Sequence, residues 1–274
     1  MQPEIQNPKP KIHNAAIVGV GMIGGSLALA LRERGLATRI TGIDRSETAL
    51  NLARESGAID AGTTDLAAGV RGADVIIFAT PVTLLPAQLE MIAPFVRPDA
   101  LITDMGSVKG RIVMAGQKLF GPRFVGGHPM AGSERSGFAA AKADLFEGAA
   151  WAIVRAAPFV LETDESARRL AELVSALGAN PIALDAARHD RIVALVSHLP
   201  HLLSFAFAKG VNGNPDSELA RRMAGGSYRD IMRVSAADPE LWRGIFLENR
   251  AALLEVLAVW EIELAALKTL LLAE

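Results

Sequence analysis

No cysteine occurs anywhere in the chain. That excludes disulfides and thiolate chemistry and fits a reducing compartment. A dominant charge is missing too: 28 Lys and Arg stand against 30 Asp and Glu, a net charge of −2. So balanced a chain is expected to take neither nucleic acid nor an anionic membrane as partner. Half of the residues are hydrophobic, yet no apolar run reaches membrane-spanning length without a charge. The polar start, Met1 to Lys11, carries Pro3, Pro8 and Pro10 and lacks the apolar core of a signal peptide. It reads as a loose tail, and a cytoplasmic protein is expected. The 274 residues suffice for one large domain or two modest ones.

The stretch that organises the rest runs from Ile17 to Ser26. An apolar run, Ala15 to Val18, reads as a buried strand. Gly19, Gly21 and Gly24 then fit G-x-G-x-x-G, and Leu27 to Arg34 reads as a helix closed by Gly35. A strand, a tight turn and a helix N-terminus together make a pyrophosphate site, because free N–H groups and the helix dipole favour an anion. The turn residues Met22 and Ile23 belong to the same site. Asp44, at the end of a second strand, can hydrogen-bond the ribose hydroxyls and would repel a 2′-phosphate. NAD is therefore expected, with the neighbouring Arg45 leaving NADP open.

Further strands are expected at Asp74–Ala79, Leu101–Asp104, Phe124–Val125, Trp151–Val154 and Pro181–Leu184. Helices are expected at Glu47–Ser56 with Ser46 as N-cap, Leu84–Ile92 and Glu165–Leu177. This alternation predicts an α/β fold with a mostly parallel, doubly wound sheet. Beyond Asp185 strand signals stop and helix-period segments take over, so domains 13–184 and 185–274 are expected. The last helix, Leu241 to Leu272, is apolar over more than one face, which predicts a homodimer built on the C-terminal helices; burial within one subunit is the alternative.

Ligands of such sheets sit beyond the carboxyl ends of the strands. Three polar clusters lie there: Thr80-Pro81 near the dinucleotide, Asp104 to Lys109, and His128 to Glu134. His128 is the only imidazole among them and suits proton transfer. Ser107 stands at the neighbouring strand end and could orient it. A structural histidine is the competing reading.

Asp104-Met105-Gly106-Ser107-Val108-Lys109, followed by Gly127-His128-Pro129-Met130-Ala131-Gly132-Ser133-Glu134-Arg135-Ser136-Gly137, resembles the prephenate/arogenate dehydrogenase family of tyrosine biosynthesis. Ser197-His198-Leu199-Pro200-His201 and Gly225-Gly226-Ser227-Tyr228-Arg229-Asp230-Ile231-Met232-Arg233 resemble its later motifs. The resemblance implies a Rossmann-like domain followed by an all-helical dimerisation domain. It implies NAD-dependent oxidative decarboxylation of a cyclohexadienol, prephenate or arogenate, with His128 as base and Ser107 as its partner. Arg233 matches the substrate-binding arginine, and His198 and His201 the substrate-side histidine motif. Ser133 and Glu134 match positions at the pocket mouth. Lys109 is either a second cation for substrate or a cap on strand-end carbonyls. No metal is expected at His198 and His201, with His189 near, because Pro200 interrupts the helix between them. No room remains beyond Glu274 for a regulatory domain, so inhibition by tyrosine is expected to act as product at the active site. Another NAD(P)-dependent dehydrogenase of a small carboxylate, or a non-catalytic dinucleotide sensor, are the rival readings.

Overall fold

The computed structural model describes residues 12–133 and 135–273. The polar tail before Ile12 and the candidate Glu134 lie outside the described residues. The chain divides into two compact units, Met1–His189 and Asp190–Glu274.

The first unit is built on one sheet of eight strands among the described residues: β1 (Ile12–Val18), β2 (Ala37–Ile43), β3 (Ala61–Thr63), β4 (Val75–Phe78), β5 (Leu101–Asp104), β6 (Phe124–Pro129), β7 (Ala150–Arg155) and β8 (Asn180–Asp185). Their order is β3-β2-β1-β4-β5-β6-β7-β8. The first six are parallel, the doubly wound order that reverses between β1 and β4. All four residues of β4 are buried, as strands covered by helices on both faces must be. The helices are α1 (Met22–Glu33), α2 (Glu47–Glu55), α3 (Leu66–Val70), α4 (Leu85–Ile92), α5 (Gly110–Phe120) and α6 (Glu165–Ala176). Ser46 caps α2 as expected, its hydroxyl accepting from the Ala49 N–H at 3.2 Å.

The sheet departs from the sequence reading in three places. β7 runs antiparallel to β6, with Ala152 opposite His128, and β8 follows β7 in parallel. β3, α3 and α5 carried no clear sequence signal: the first two are three and five residues long, and α5 contains Gly110 and Gly116. β6 extends past Val125 to Pro129, so His128 lies within a strand rather than in the loop after it.

The end of β7 is fastened by Arg155, only 4 % exposed. Its guanidinium donates to the Phe124 and Pro122 carbonyls and to the Asp164 carboxylate, which also caps α6 through the Ala167 N–H. Burial acts to raise the Asp164 pKa, but the Arg155 and Ala167 hydrogen bonds outweigh it and hold it below its ordinary value.

The second unit is helical. The boundary between the units falls within α7 (Ala186–Val193), which passes through a single wide π turn, Ala194–His198, into α8 (Leu199–Asn212). Pro200 does not interrupt this helix. Proline lacks an N–H and crowds the carbonyl four residues earlier, and the π turn before it accommodates both effects. Three helices follow, α9 (Ser217–Arg222), α10 (Gly226–Ser235) and α11 (Pro239–Glu248). α12 (Arg250–Leu272) is separate from α11, because Asn249 leaves helical geometry between them. Along α12, Val259, Ile262, Leu267 and Leu271 are exposed. Ala186–Asn212 is long and apolar enough by composition alone to cross a membrane.

Asp164→Ala removes an N-cap and strands a buried guanidinium, so a loss of about 3–5 kcal/mol is expected. The native carboxylate contributes above its unfolded pKa and loses that contribution as pH falls through the lowered folded value. Chemical denaturation should therefore show the gap to wild type at neutral pH and its closure in acid below pH 3.8.

Candidate functional site

The carboxyl ends of β1, β2, β4, β5 and β6 carry the first unit's candidates. The Gly19 N–H donates to the Ile43 carbonyl at 2.7 Å, which draws the glycine turn against the end of β2. A Cβ on Gly24 would stand 1.9 Å from the Gly19 carbonyl oxygen, so the turn closes only without one. Over Gly21 a Cβ would meet nothing within 4 Å, leaving open space where a phosphate approaches the backbone. No side chain caps α1, whose first internal bond runs from the Gly25 N–H to the Gly21 carbonyl. The N–H groups of Met22, Ile23 and Gly24 therefore face the turn without a helical partner, as an anion site requires.

Asp44 accepts the Val20 N–H at 2.8 Å through one oxygen and the Ser46 N–H at 2.9 Å through the other. Each oxygen keeps a lone pair, and the two bonds aim the carboxylate across the turn. Arg45 beside it is exposed. Thr80 lies against Gly19 from the end of β4, with its hydroxyl donating to Gln88 at 2.5 Å, and Pro81 is exposed after it. The Ser133 hydroxyl sits 3.1 Å from the Met22 sulfur, which places Ser133 beside the glycine turn.

Asp104 gathers the next two strand ends. Both it and Lys109 are fully buried and form an ion pair through Asp104 Oδ2. The same oxygen accepts the Gly106 N–H at 2.9 Å, and Oδ1 accepts the Gly127 N–H at 3.3 Å. One carboxylate thus ties the Ser107 loop to the strand residue before His128. Gly127 is required there, since a Cβ would come within 2.5 Å of the Asp104 carbonyl oxygen. Lys109 is committed to this carboxylate rather than to strand-end carbonyls alone.

His128 is 8 % exposed. Its Nδ1 lies 2.9 Å from Nε2 of His189, on the first turns of α7. Ser107 is half-buried at the neighbouring strand end and makes no hydrogen bond to His128 among the described residues. The sequence separation of 61 residues hid this histidine partner.

In the second unit, His198 Nδ1 lies 3.1 Å from the Asn249 amide nitrogen, which also donates to the Asp190 carbonyl at 2.8 Å. An amide nitrogen can only donate, so His198 Nδ1 is an acceptor and the ring proton sits on Nε2. His201 stacks on Trp242 with centroids 3.5 Å apart and planes 18° from parallel. Burial, partly offset by the hydrogen bond to the Ser197 carbonyl, lowers the His201 pKa, so the ring is neutral at pH 7. Its Nδ1–H donates to that carbonyl, which leaves Nε2 as an acceptor. Arg233 is exposed on α10 and forms no ion pair among the described residues. Arg229 donates to the Ala224 carbonyl at 2.8 Å. Trp242 and Asn249 escaped the sequence reading; the signal for Asn249 was a polar residue inside an apolar helical pattern.

The residue pattern of the prephenate dehydrogenase nucleotide-binding domain matches residues 27–181, and that of the prephenate dehydrogenase dimerization domain matches 185–274. The chain belongs to the prephenate dehydrogenase family. A prephenate dehydrogenase of Lactococcus lactis subsp. cremoris is 38 % identical over 244 residues, covering 87 % of this chain and 66 % of that protein. The chain thus spans about two thirds of that relative's length. Among solved structures, prephenate dehydrogenase from A. aeolicus in complex with hydroxyphenyl propionate and NAD+ superposes with a TM-score of 0.86 at 33 % identity, covering 95 % of this chain and 91 % of that one. Synechocystis arogenate dehydrogenase gives a TM-score of 0.78 at 32 % identity, over 94 % and 91 %.

Lys109→Met leaves the Asp104 carboxylate buried without its cation, and a loss of about 3–5 kcal/mol is expected. Urea unfolding checks it. A change under about 1 kcal/mol would mean that water or rearrangement satisfies Asp104.

Proposed function

We propose that this chain is an NAD-dependent dehydrogenase that oxidatively decarboxylates prephenate to 4-hydroxyphenylpyruvate, arogenate to tyrosine, or both. The observation that carries the reading is a buried imidazole, His128, near the end of β6 in the same sheet whose β1 opens onto the glycine turn, in a chain of this family. NAD, bound by Gly19, Gly21, Met22, Ile23, Gly24 and Asp44, with Thr80 and Pro81 alongside, supplies the hydride acceptor; the acid at Asp44 favours it over NADP.

The reaction removes a hydride from the ring carbon that bears the hydroxyl. That hydroxyl must release its proton as the carbonyl forms, and His128 accepts it. The C–CO₂ bond then breaks, its electron pair aromatises the ring and comes to rest on the carbonyl oxygen, which takes back a proton to become the phenol, and CO₂ leaves. Ser107, next to the base, is read as a contact for the reacting hydroxyl. Arg233 binds a substrate carboxylate, since a guanidinium offers a paired donor fork and its side chain is exposed. His198, a donor through Nε2, and neutral His201, an acceptor through Nε2, are read as polar contacts for substrate. Ser133 is read as lining the mouth, and Lys109 as acting through Asp104. Tyrosine, as product or near-product, inhibits at the same site.

The homodimer belongs to the same reading. A dimerization-domain pattern over 185–274 and the exposed apolar row on α12 support it. A cytoplasmic setting fits the lack of cysteine.

The test is to mix the protein with NAD or NADP and follow reduced nicotinamide by absorbance with prephenate, then arogenate. Reduction with either substrate is expected, faster with NAD. Silence with all four pairs from folded, NAD-binding protein would favour another dehydrogenase or a sensor. His128→Asn should cost about 10²–10⁴ in turnover while NAD affinity holds; retained turnover would remove His128 as base. Arg233→Ala should raise the substrate KM about ten- to a hundredfold and leave that of NAD unchanged, the worth of one charge-assisted contact. Light scattering at micromolar protein should give twice the 29.0 kDa chain mass; a monomer would contradict the dimer.

A further inference from the structure

We propose that His189 is a positioning residue for His128: a neutral imidazole whose Nε2 accepts the Nδ1–H of the base and so leaves the base's own Nε2 open for the substrate proton. The inference rests on the reading of His128 as the base.

Geometry comes first. The two rings approach at 67° with centroids 5.1 Å apart, while Nδ1 and Nε2 are 2.9 Å apart. The difference leaves little more than two ring radii, so both nitrogens lie close to the line between ring centres. That is an in-plane N–H···N hydrogen bond and not a stacking contact. His189 is 1 % exposed, and its ring is carried on the same face of α7 as buried Ala186 and Val193. A histidine in that apolar row is anchored by packing, which gives its partner little freedom to turn.

The tautomer follows from the role of His128 as base. A single hydrogen can bridge the two nitrogens, so one ring donates and the other accepts. If His189 donated, Nδ1 of His128 would be the acceptor, and the proton of the neutral base would sit on Nε2. It could then accept nothing from substrate. With His189 accepting, Nε2 of the base carries the lone pair. When that lone pair takes the hydroxyl proton, His128 becomes an imidazolium whose Nδ1–H bond to His189 is charge-assisted and stronger. The partner therefore favours the protonated product of the step over the neutral base.

An imidazole also suits the neighbourhood. The adjoining strand end already holds one buried carboxylate, Asp104, balanced by Lys109. A neutral acceptor orients the base without placing a second unbalanced anion beside it.

The test uses full-length protein with His189→Leu, which removes the acceptor at similar volume, and His189→Gln, whose amide oxygen can take the place of Nε2. His189→Leu should lower kcat about ten- to a hundredfold, less than loss of the base itself, with the KM of substrate and NAD little changed. His189→Gln should recover most of that loss. In wild-type protein, ¹⁵N-histidine NMR should show neutral His128 protonated at Nδ1, its signals assigned by their absence from His128→Asn. Wild-type kcat in His189→Leu, equal losses in both variants, or a His128 proton on Nε2 would each overturn the proposal. Should His189→Leu fail to fold, His189→Gln and the wild-type tautomer decide. A wild type without turnover on prephenate or arogenate would instead overturn the base assignment, and the tautomer alone would then judge the pair.

Discussion

A single buried carboxylate sets the geometry of the first unit's site. Asp104 is fully buried, and an anion so placed is tolerated only when donors surround it. It collects the Lys109 ammonium and the N–H groups of Gly106 and Gly127. Two of those donors belong to the loop that bears Ser107 and one to the strand that bears His128, while Asp104 itself ends β5. The cost of leaving any of them unmade holds three segments in register, and catalytic groups on neighbouring strand ends need that precision. Lys109 is in this sense a structural cation first, whatever its charge contributes to a bound anion.

Charge in the second unit is arranged differently. Burial lowers the His201 pKa, and His198 has its tautomer fixed by Asn249. Neither ring supplies a full positive charge at neutral pH through these contacts, so the guanidinium of Arg233 is the candidate for a substrate carboxylate. Neutral rings with fixed donor and acceptor sides suit hydroxyl and carbonyl groups instead. The break between α11 and α12 follows from the same economy, because Asn249 spends its amide on His198 and the Asp190 carbonyl while its backbone turns out of the helix.

The sequence carried the frame of the fold because its strongest signals are local. Leu101–Asp104 is a strand in the sequence reading and in the structure, and Ser46 caps the helix it was expected to cap. Short elements such as β3 and α3 offer too few residues for a period to show. The direction of β7 depends on its partner β6, not on its own residues. Pro200 misled because a proline reads as a stop, whereas the π turn before it absorbs its demands. At the site, His128 stood out as an imidazole at a strand end. Its contact with His189 did not, for only folding joins two residues so distant in the chain. Asp104 ended an apolar run and was legible as a polar residue, but its role as a hub of donors needs the neighbouring strand.

In the proposed reaction, proton removal at His128 is coupled to hydride loss and then to loss of a carboxylate from one ring. The direct measurement is the ratio of CO₂ released to nicotinamide reduced with prephenate as substrate. One CO₂ per reduced nicotinamide is predicted. Reduction without CO₂ would show an ordinary alcohol oxidation on this fold and contradict the account.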